Sequence, residues 1–531
     1  MEEVDDNYLR SHNPVLFPLG MHAARFRMRR VHIISDLHLG GTYPVPPDPG
    51  KRGFRLCTRA DQIVRFVEDL AREIAAKGPS ELVLNGDTVD FLAELDGEQA
   101  DSWAPFTADP GQAVSKFKAI VERDPGVFAA LNRFLDVGGR LTILLGNHDI
   151  ELSLPPVRAE LRKALGVKSG HDFEFIHDGE AYVIGDALIE HGNRYDAWNQ
   201  VDLDALRRVR SLMSRRQEVP KQYQFVPPPG SQMVTSVINK IKRDYAFVDL
   251  LKPEDSAVVP ILLALEPGYR KRFGELARFW YWTRSHGLEG PLLPKFGGDI
   301  KADVVANKKP FGQDIRATVA PGSGSAQSML AGADNDAALK TAIGESLDGA
   351  GADFLRQLDG DSRGARPGMG TDVSASETFD TALGFFNLTF GSSAADKRMR
   401  ALLTAIRGLQ KEDSFDETRE TAKEYLDGAS ELVKGGFRYV VFGHTHQAKR
   451  VSLDDGRWYF NSGTWADVLR FPNEILTLPE PDALKQLDRF VQKLKAGDFS
   501  EWTLFRPTYV QLDIDDNGKV AEAKLCAAPT S

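Results

Sequence analysis

The amino-acid sequence predicts an α/β fold carrying a large, mainly helical insertion. Three observations carry that expectation. Short apolar runs of strand length alternate with helix-period segments in the first third of the chain, and further short strands close it. Between them, from Trp198 to Lys434, lies a long stretch of different character.

Residues 1–30 lack strong periodicity and end in Arg25, Arg27, Arg29 and Arg30, so they read as an N-terminal extension, with Met21 as an alternative start. Val31-His32-Ile33-Ile34 reads as a strand closed by Ser35-Asp36, and a proline-rich loop follows from Tyr43 to Gly53. Ile63, Val67, Leu70 and Ile74 recur at helical spacing, and Lys77-Gly78-Pro79 supplies a basic last turn and a stop, which predicts a crossover helix. Glu81 to Leu84 and Leu141 to Leu145 are the next strands, with a helical stretch from Val121 to Leu135 between them. Strand, helix, strand, helix, strand implies parallel pairing at the centre of the sheet. Tyr182-Val183-Ile184 and Ala187-Leu188-Ile189 flank Gly185-Asp186 and read as a hairpin. Late strands are expected at Arg438–Phe442, Arg450–Leu453, Trp458–Phe460, Thr508–Ile514 and Val520–Leu525, with Asp454-Asp455-Gly456 and Asp515-Asp516-Asn517-Gly518 as turns. The core is therefore expected in two parts, 31–198 and 435–531, around an insertion or cap at 199–434. That insertion is helical and aromatic to about Leu293 and rich in Gly, Ala, Asp and Ser from 297 to 376, the composition of a loop or loosely ordered lid.

Composition narrows the class. The 531 residues are 42% hydrophobic and 27% charged, which excludes a disordered or collagen-like chain. No apolar run approaches the roughly 18 residues of a membrane span, and the acidic start Met1-Glu2-Glu3-Val4-Asp5-Asp6 is unlike a secretory signal, so a cytoplasmic location is expected. Cys57 and Cys526 make neither a disulfide framework nor a zinc spacing. A net charge of -10 argues against a protein that coats nucleic acid. The clusters Arg207-Arg208-Val209-Arg210 with Arg215-Arg216, and Tyr269-Arg270-Lys271-Arg272, read as solvated helix faces, with an anionic substrate or lipid surface as the alternative.

The chemistry concentrates where strands end, which is where open α/β sheets place their sites. The ends read Asp36-Leu37-His38, Gly86-Asp87-Thr88-Val89-Asp90, Gly146-Asn147-His148-Asp149, Glu190-His191-Gly192-Asn193 and Gly443-His444-Thr445-His446. Each alone has an ordinary reading as a turn or a core histidine. Together they gather five of the 11 histidines into four of these five short segments.

These blocks resemble the calcineurin-like metallophosphoesterase superfamily, whose pattern runs D-x-H, G-D-x-x-D, G-N-H-D/E, a histidine before a small residue, and G-H-x-H. All five occur here in that order. The resemblance covers Val31 to Asp196 and Arg438 to about Trp465. It implies an αββα core, a two-sheet β-sandwich flanked by helices, and a dinuclear metal site. Asp36, His38 and His446 would hold one metal, Asn147, His191 and His444 the other, and Asp87 would bridge them. An oxygen- and nitrogen-rich set without thiolate suits Mn²⁺, Fe²⁺/³⁺ or Zn²⁺, manganese being favoured. In that family a hydroxide shared by the metals attacks the phosphorus. His148 would stand near the leaving group as proton donor or phosphate-orienting cation, with Asp90 holding its ring. Asn461-Ser462-Gly463-Thr464-Trp465 resembles a further stretch that supports the sheet end. His191 to Trp198 is similar to the H-G-D-x-x-D segment of the subgroup that cleaves the diphosphate of UDP-diacylglucosamine. Asn193 replaces that subgroup's acid, and His148 its usual arginine.

The expected function is two-metal hydrolysis of phosphoesters on a phosphorylated small molecule or lipid selected by the insertion, with peripheral membrane contact allowed. Phe247 to Leu265 with Phe279 to Trp282 either bind a lipid tail or base, or simply form the core of a helical subdomain. The alternatives are a diphosphate hydrolase of a nucleotide-sugar or lipid, a non-catalytic metal-binding scaffold, and a nuclease. Seven filled ligand positions weigh against the scaffold, and the acidic balance weighs against the nuclease.

Overall fold

A computed structural model describes residues 29–41, 55–96, 102–196, 199–242, 246–251, 399–400, 402–404, 406–407 and 415–530. The fold is mixed α/β. Strands β1 (Arg29–Ile34), β2 (Ser80–Asn85), β3 (Arg140–Leu144) and β4 (Phe173–Ile176) run parallel. The antiparallel pair β10 (Thr508–Ile514) and β11 (Val520–Ala527) extends this sheet beyond β1, giving the order β11-β10-β1-β2-β3-β4. A second sheet has the order β5-β6-β7-β9-β8, from β5 (Tyr182–Ile184), β6 (Ala187–Ile189), β7 (Tyr439–Phe442), β8 (Lys449–Ser452) and β9 (Trp458–Asn461). Here β6, β7 and β9 are parallel, and this sheet joins two strands from before the insertion, β5 and β6, to three from after it.

Two-residue periodicity assigns each strand two faces. Val31 and Ile33 of β1, with Val83 of β2, share one core with Ile184, Ile189, Tyr439, Val441 and Phe460 of the second sheet. Ile34, Leu82, Leu84, Leu141 and Ile143 face the other way, into a core made with α1 (Ala60–Lys77), α2 (Pro110–Arg123), α3 (Pro125–Asp136) and α4 (Pro155–Ala164). On the far side of the second sheet, Val440, Phe442 and Tyr459 pack on Tyr425, Ala429 and Val433 of the helix Lys423–Lys434. The packing order is helices, sheet, sheet, helix. Glu81 sits in the inter-sheet layer, fully buried, held by Arg29, Arg140, Thr142 and the Tyr182 hydroxyl.

Several expectations shift. β1 begins at Arg29, so Arg29 and Arg30 belong to the strand and not to the extension. The helical stretch at Val121–Leu135 is two helices broken at Asp124-Pro125, because proline lacks the N–H that a continuing helix needs. A helical module absent from the strand pattern, Asn473–Thr477 and Glu480–Lys495, packs its Ile475, Leu487 and Phe490 against Ile238, Phe247, Leu250 and Leu402 of the insertion. Phe247 is thus core packing. Residues 1–28, the proline-rich loop from Tyr43 to Gly53, the cluster Tyr269 to Arg272, residues 297–376, and Phe279 to Trp282 lie outside the described residues. Among the described residues no helix is long and apolar enough to cross a membrane.

His32 is buried between Phe66 and Tyr509, and burial lowers its pKa from 6.5 to about 4. The unfolded chain takes up that proton more readily, so the native state loses stability as pH falls from about 6.5 towards 4, by up to about 3 kcal/mol. Urea midpoints at pH 7 and pH 5 should therefore differ more in the wild type than in His32→Phe; equal slopes would contradict the assignment.

Candidate metal centre

Every expected site residue, ligand or catalytic, sits just past the carboxyl end of a parallel strand. Asp36 and His38 follow β1, Asp87 and Asp90 follow β2, Asn147 and His148 follow β3, His191 follows β6, and His444 and His446 follow β7. The two sheets present these ends to one place. The turns that do so are unusual: Asp36, His38, Asp87, His444 and His446 all have left-handed backbones, with φ of 54°, 45°, 48°, 69° and 59°. Such conformations cost about 1 kcal/mol or more each and persist where surrounding contacts impose them, most often at functional sites.

Among the described residues, three groups of His and Asp have ligand atoms close enough to share an ion: Asp36 with His38 and His446, Asp87 with His191 and His444, and His38 with Asp90 and His148. In the first group His446 Nε2 is 3.4 Å from Asp36 Oδ1 and 3.1 Å from His38 Nε2. In the second, His191 Nε2 is 3.2 Å from Asp87 Oδ2. The same Asp87 oxygen lies 3.8 Å from His38 Nε2, so this carboxylate stands between the groups. The structure therefore brings together Asp36, His38, Asp87, His191, His444 and His446, and adds Asp90 and His148 at the edge. Asn147 is buried beside them on the β3 turn.

The donor set fits a cation on several counts. Asp36 accepts at Oδ2 from the His444 N–H (2.9 Å) and from the Ser35 hydroxyl, while its buried Oδ1 has no hydrogen-bond partner. Asn147 Oδ1 and His191 Nε2 are likewise buried and unpartnered. His191 donates from Nδ1 to the Asn85 carbonyl at 2.8 Å, which orients the ring and turns Nε2 inward, as the atom a cation would take in place of a proton. His444 donates from Nε2 to Asp196 Oδ2 at 3.0 Å, leaving the Nδ1 lone pair as the atom able to hold a cation. Buried acceptors without donors are costly; oxygen and imidazole nitrogen without thiolate suit first-row divalent cations.

Electrostatics agree. Burial alone would raise the Asp87 pKa, but His191, His148 and His38 together hold it well below the usual carboxylate range. Burial would lower that of His191, yet Asp87 outweighs it and pushes the imidazole up to about 10. Asp149 moves up to about 7, first by burial and then by Asp87. It accepts the N–H groups of Gly146 (2.7 Å) and Thr88 (2.8 Å), tying the β2 and β3 turns together.

His148 differs from the ligands. Its side chain is 16% exposed, its Nδ1 is 3.1 Å from Asp90 Oδ1, and its backbone N–H donates to Asp87 Oδ1 at 2.8 Å. Asp90 Oδ2 is also 3.5 Å from His38 Nδ1, so one buried carboxylate orients two rings. The stretch Asn461 to Trp465 braces the centre from behind: Asn461 Nδ2 donates to the Gly443 carbonyl (2.6 Å), and Thr464 Oγ1 to the Asp36 carbonyl (2.8 Å). Sequence reasoning missed Asn85, which acts through its carbonyl, and the supporting roles of Asp149, Asp196 and Ser35. Asp196 could have been found, since it lies in the quoted His191 to Trp198 segment. No family model and no curated protein matches this chain.

Close approach explains the glycines of the motifs. A Cβ on Gly146 would lie 2.0 Å from Asp87 Oδ1, and one on Gly86, at φ 82°, would lie 2.4 Å from the His191 ring. Gly146→Ala should therefore displace Asp87 and reduce metal per chain to about one-tenth or less of wild type, as measured by plasma emission on the folded protein. Full metal content in that variant would contradict the geometry.

Proposed function

We propose that the chain is a two-metal hydrolase of phosphoester bonds, with the fold and chemistry of the calcineurin-like metallophosphoesterases. The observation that carries this reading is the buried Asp87 carboxylate standing between Asp36-His38-His446 and His191-His444, with unpartnered acceptor atoms aimed inward. The layer order of helices, sheet, sheet, helix supports the αββα assignment. Asp36, His38 and His446 would hold one cation, Asn147, His191 and His444 the second, with Asp87 shared. Two such cations, manganese, iron or zinc, supply Lewis acidity that activates water near neutral pH and neutralises charge on the phosphoryl oxygens.

The protein's own groups do the remaining work. His148 is the partly exposed imidazole at the edge of the centre, and Asp90 accepts its Nδ1 proton, so Nε2 is presented outward. With Nε2 protonated as well, the imidazolium so oriented can pass that proton to a departing oxygen or hold a phosphate. Asp90, well below the usual carboxylate range because its two histidines outweigh burial, stays ionised and favours a protonated His148 ring. Asp149 and Asn85 keep the turns and the His191 ring in place. The substrate is proposed as a phosphorylated small molecule or lipid. A second reading, a diphosphate hydrolase acting on a nucleotide-sugar or lipid, is favoured by Asp196, the acid of the His191-Gly192-Asn193-x-x-Asp196 segment, which bonds His444.

A turnover assay on chromogenic phosphomonoesters and phosphodiesters with Mn²⁺, Fe²⁺ or Zn²⁺ tests this. Asp87→Asn and His191→Ala should lose both metal and turnover. His148→Ala should keep its metals and slow hydrolysis about 10²- to 10⁴-fold. Loss of metal in His148→Ala would overturn the division of roles, and metal-loaded wild type that hydrolyses neither ester would leave the scaffold reading.

A further inference from the structure

The arginine run of α5 (Leu203–Ser214) divides between the two sides of its helix. Leu206, Val209 and Arg210 are buried, and Leu203 and Leu206 line a cavity together with His191, Gly192 and Asn193. The opposite side is cationic. Arg207, Ser211 and Arg215 follow one another at four-residue intervals, with Arg208 beside them, so helical geometry brings three exposed guanidiniums to one outer face. Arg216 and Lys221, just past the helix, are exposed as well. Little neutralises this charge. Arg207 Nε lies 3.7 Å from Asp204 Oδ1, and Arg215 bonds only the Ser211 carbonyl and hydroxyl of its own helix, at 2.8 and 2.7 Å. Among the described residues, Arg208, Arg215, Arg216 and Lys221 have no carboxylate at ion-pair distance.

The loop after α5 adds apolar groups to the same face. Phe225 is buried against Phe106, with ring centroids 4.8 Å apart, and its neighbour Val226 is turned outward, 71% exposed. Pro227, Pro228 and Pro229 follow and restrict the backbone there. Tyr223, 41% exposed, has the Arg208 guanidinium 5.2 Å from its ring centroid, a contact that ties the loop to the helix. Single exposed apolar residues are ordinary on a protein surface. Here two of the five large ones among the described residues stand three positions apart, beside five exposed cations. The exposed acids of this stretch are Asp202, which caps the helix, Asp204, which pairs with Arg207, and Glu218. On a chain of net charge -10 the positive excess is local.

We infer that this face, the outer side of α5 with the loop from Lys221 to Val226, docks on the surface of an anionic phospholipid bilayer. Charge and apolarity together select that partner. Arginine and lysine meet the anionic headgroups, tyrosine sits at headgroup level, and a projecting valine enters the acyl boundary. A nucleic acid would engage the cations and leave Val226 without a partner. Because Leu203 and Leu206 reach the cavity beside His191, the docking face and that cavity lie on two sides of one helix.

Co-sedimentation of the full-length protein with vesicles tests this without any measurement of hydrolysis. Two compositions are compared, phosphatidylcholine alone and phosphatidylcholine with phosphatidylglycerol as a minor component. Binding to the anionic vesicles should be about tenfold tighter or more, and should weaken as salt rises. Removing one cation near a membrane surface lowers affinity about fivefold, so Arg208→Gln combined with Arg215→Gln should weaken binding about tenfold or more. Val226→Ser should weaken it about threefold through lost apolar contact. All three positions are exposed, so these variants keep the fold. A short DNA duplex should bind more weakly than the anionic vesicles. Equal affinity for the two vesicle types, unchanged affinity in either variant, or tighter binding to the duplex would overturn the inference.

Discussion

The Asp87 carboxylate is the constraint around which the centre is built. It is buried at the end of β2, the middle of the parallel strands, with His38 on one side and His191 on the other. A lone buried carboxylate would be strongly disfavoured. This one is kept charged by three imidazoles, and its second oxygen accepts the His148 N–H. Every neighbouring feature follows from making room for it. Gly146 leaves the space a side chain would fill, Asp149 closes the adjoining turns by accepting their N–H groups, and the left-handed backbones of Asp36, His38, Asp87, His444 and His446 bring five side chains into one volume.

The two sheets matter because neither could assemble this set alone. The first supplies Asp36, His38, Asp87 and Asn147, and the second supplies His191, His444 and His446. Their relative placement is fixed by the apolar layer of Val31, Ile33, Val83, Ile189, Val441 and Phe460, so core packing sets the distances between ligands. Polar links across the layer refine the register: Asn85 of β2 donates to the Glu190 carbonyl and accepts from His191. The long insertion between His191 and His444 is tolerated because both its ends return to adjacent parallel strands, β6 and β7.

Much of this was legible in the sequence because it is written in local pattern. Val31 to Ile34 and Leu141 to Leu145 are apolar runs that end in ligand-type residues, and the helix Ala60–Lys77 shows in the spacing of Ile63, Val67 and Leu70. The site residues were legible for the same reason, since each sits at a strand end next to a glycine or in a short motif. What was not legible depends on contacts between distant positions. Asn85 holds His191 through a backbone carbonyl 106 residues away, which any residue type would offer. Arg210, expected with Arg207 and Arg208 on a solvated helix face, is buried and bonds the His177 carbonyl just past β4, a strand that did not stand out as an element. The helices 473–495 were missed because their apolar residues are spent on the insertion, a partner whose sequence gave no sign of where it docks.

Asp87 is proposed to be shared by two cations, and the most direct test is anomalous diffraction from crystals of the full-length protein grown with Mn²⁺, collected on both sides of the manganese edge. Two peaks are expected a few ångströms apart, about 3.5–4 Å as in other two-metal sites, one against Asp36, His38 and His446 and one against Asn147, His191 and His444, with Asp87 touching both. A single peak that does not contact Asp87, or no anomalous signal in the space enclosed by these seven side chains, would contradict it.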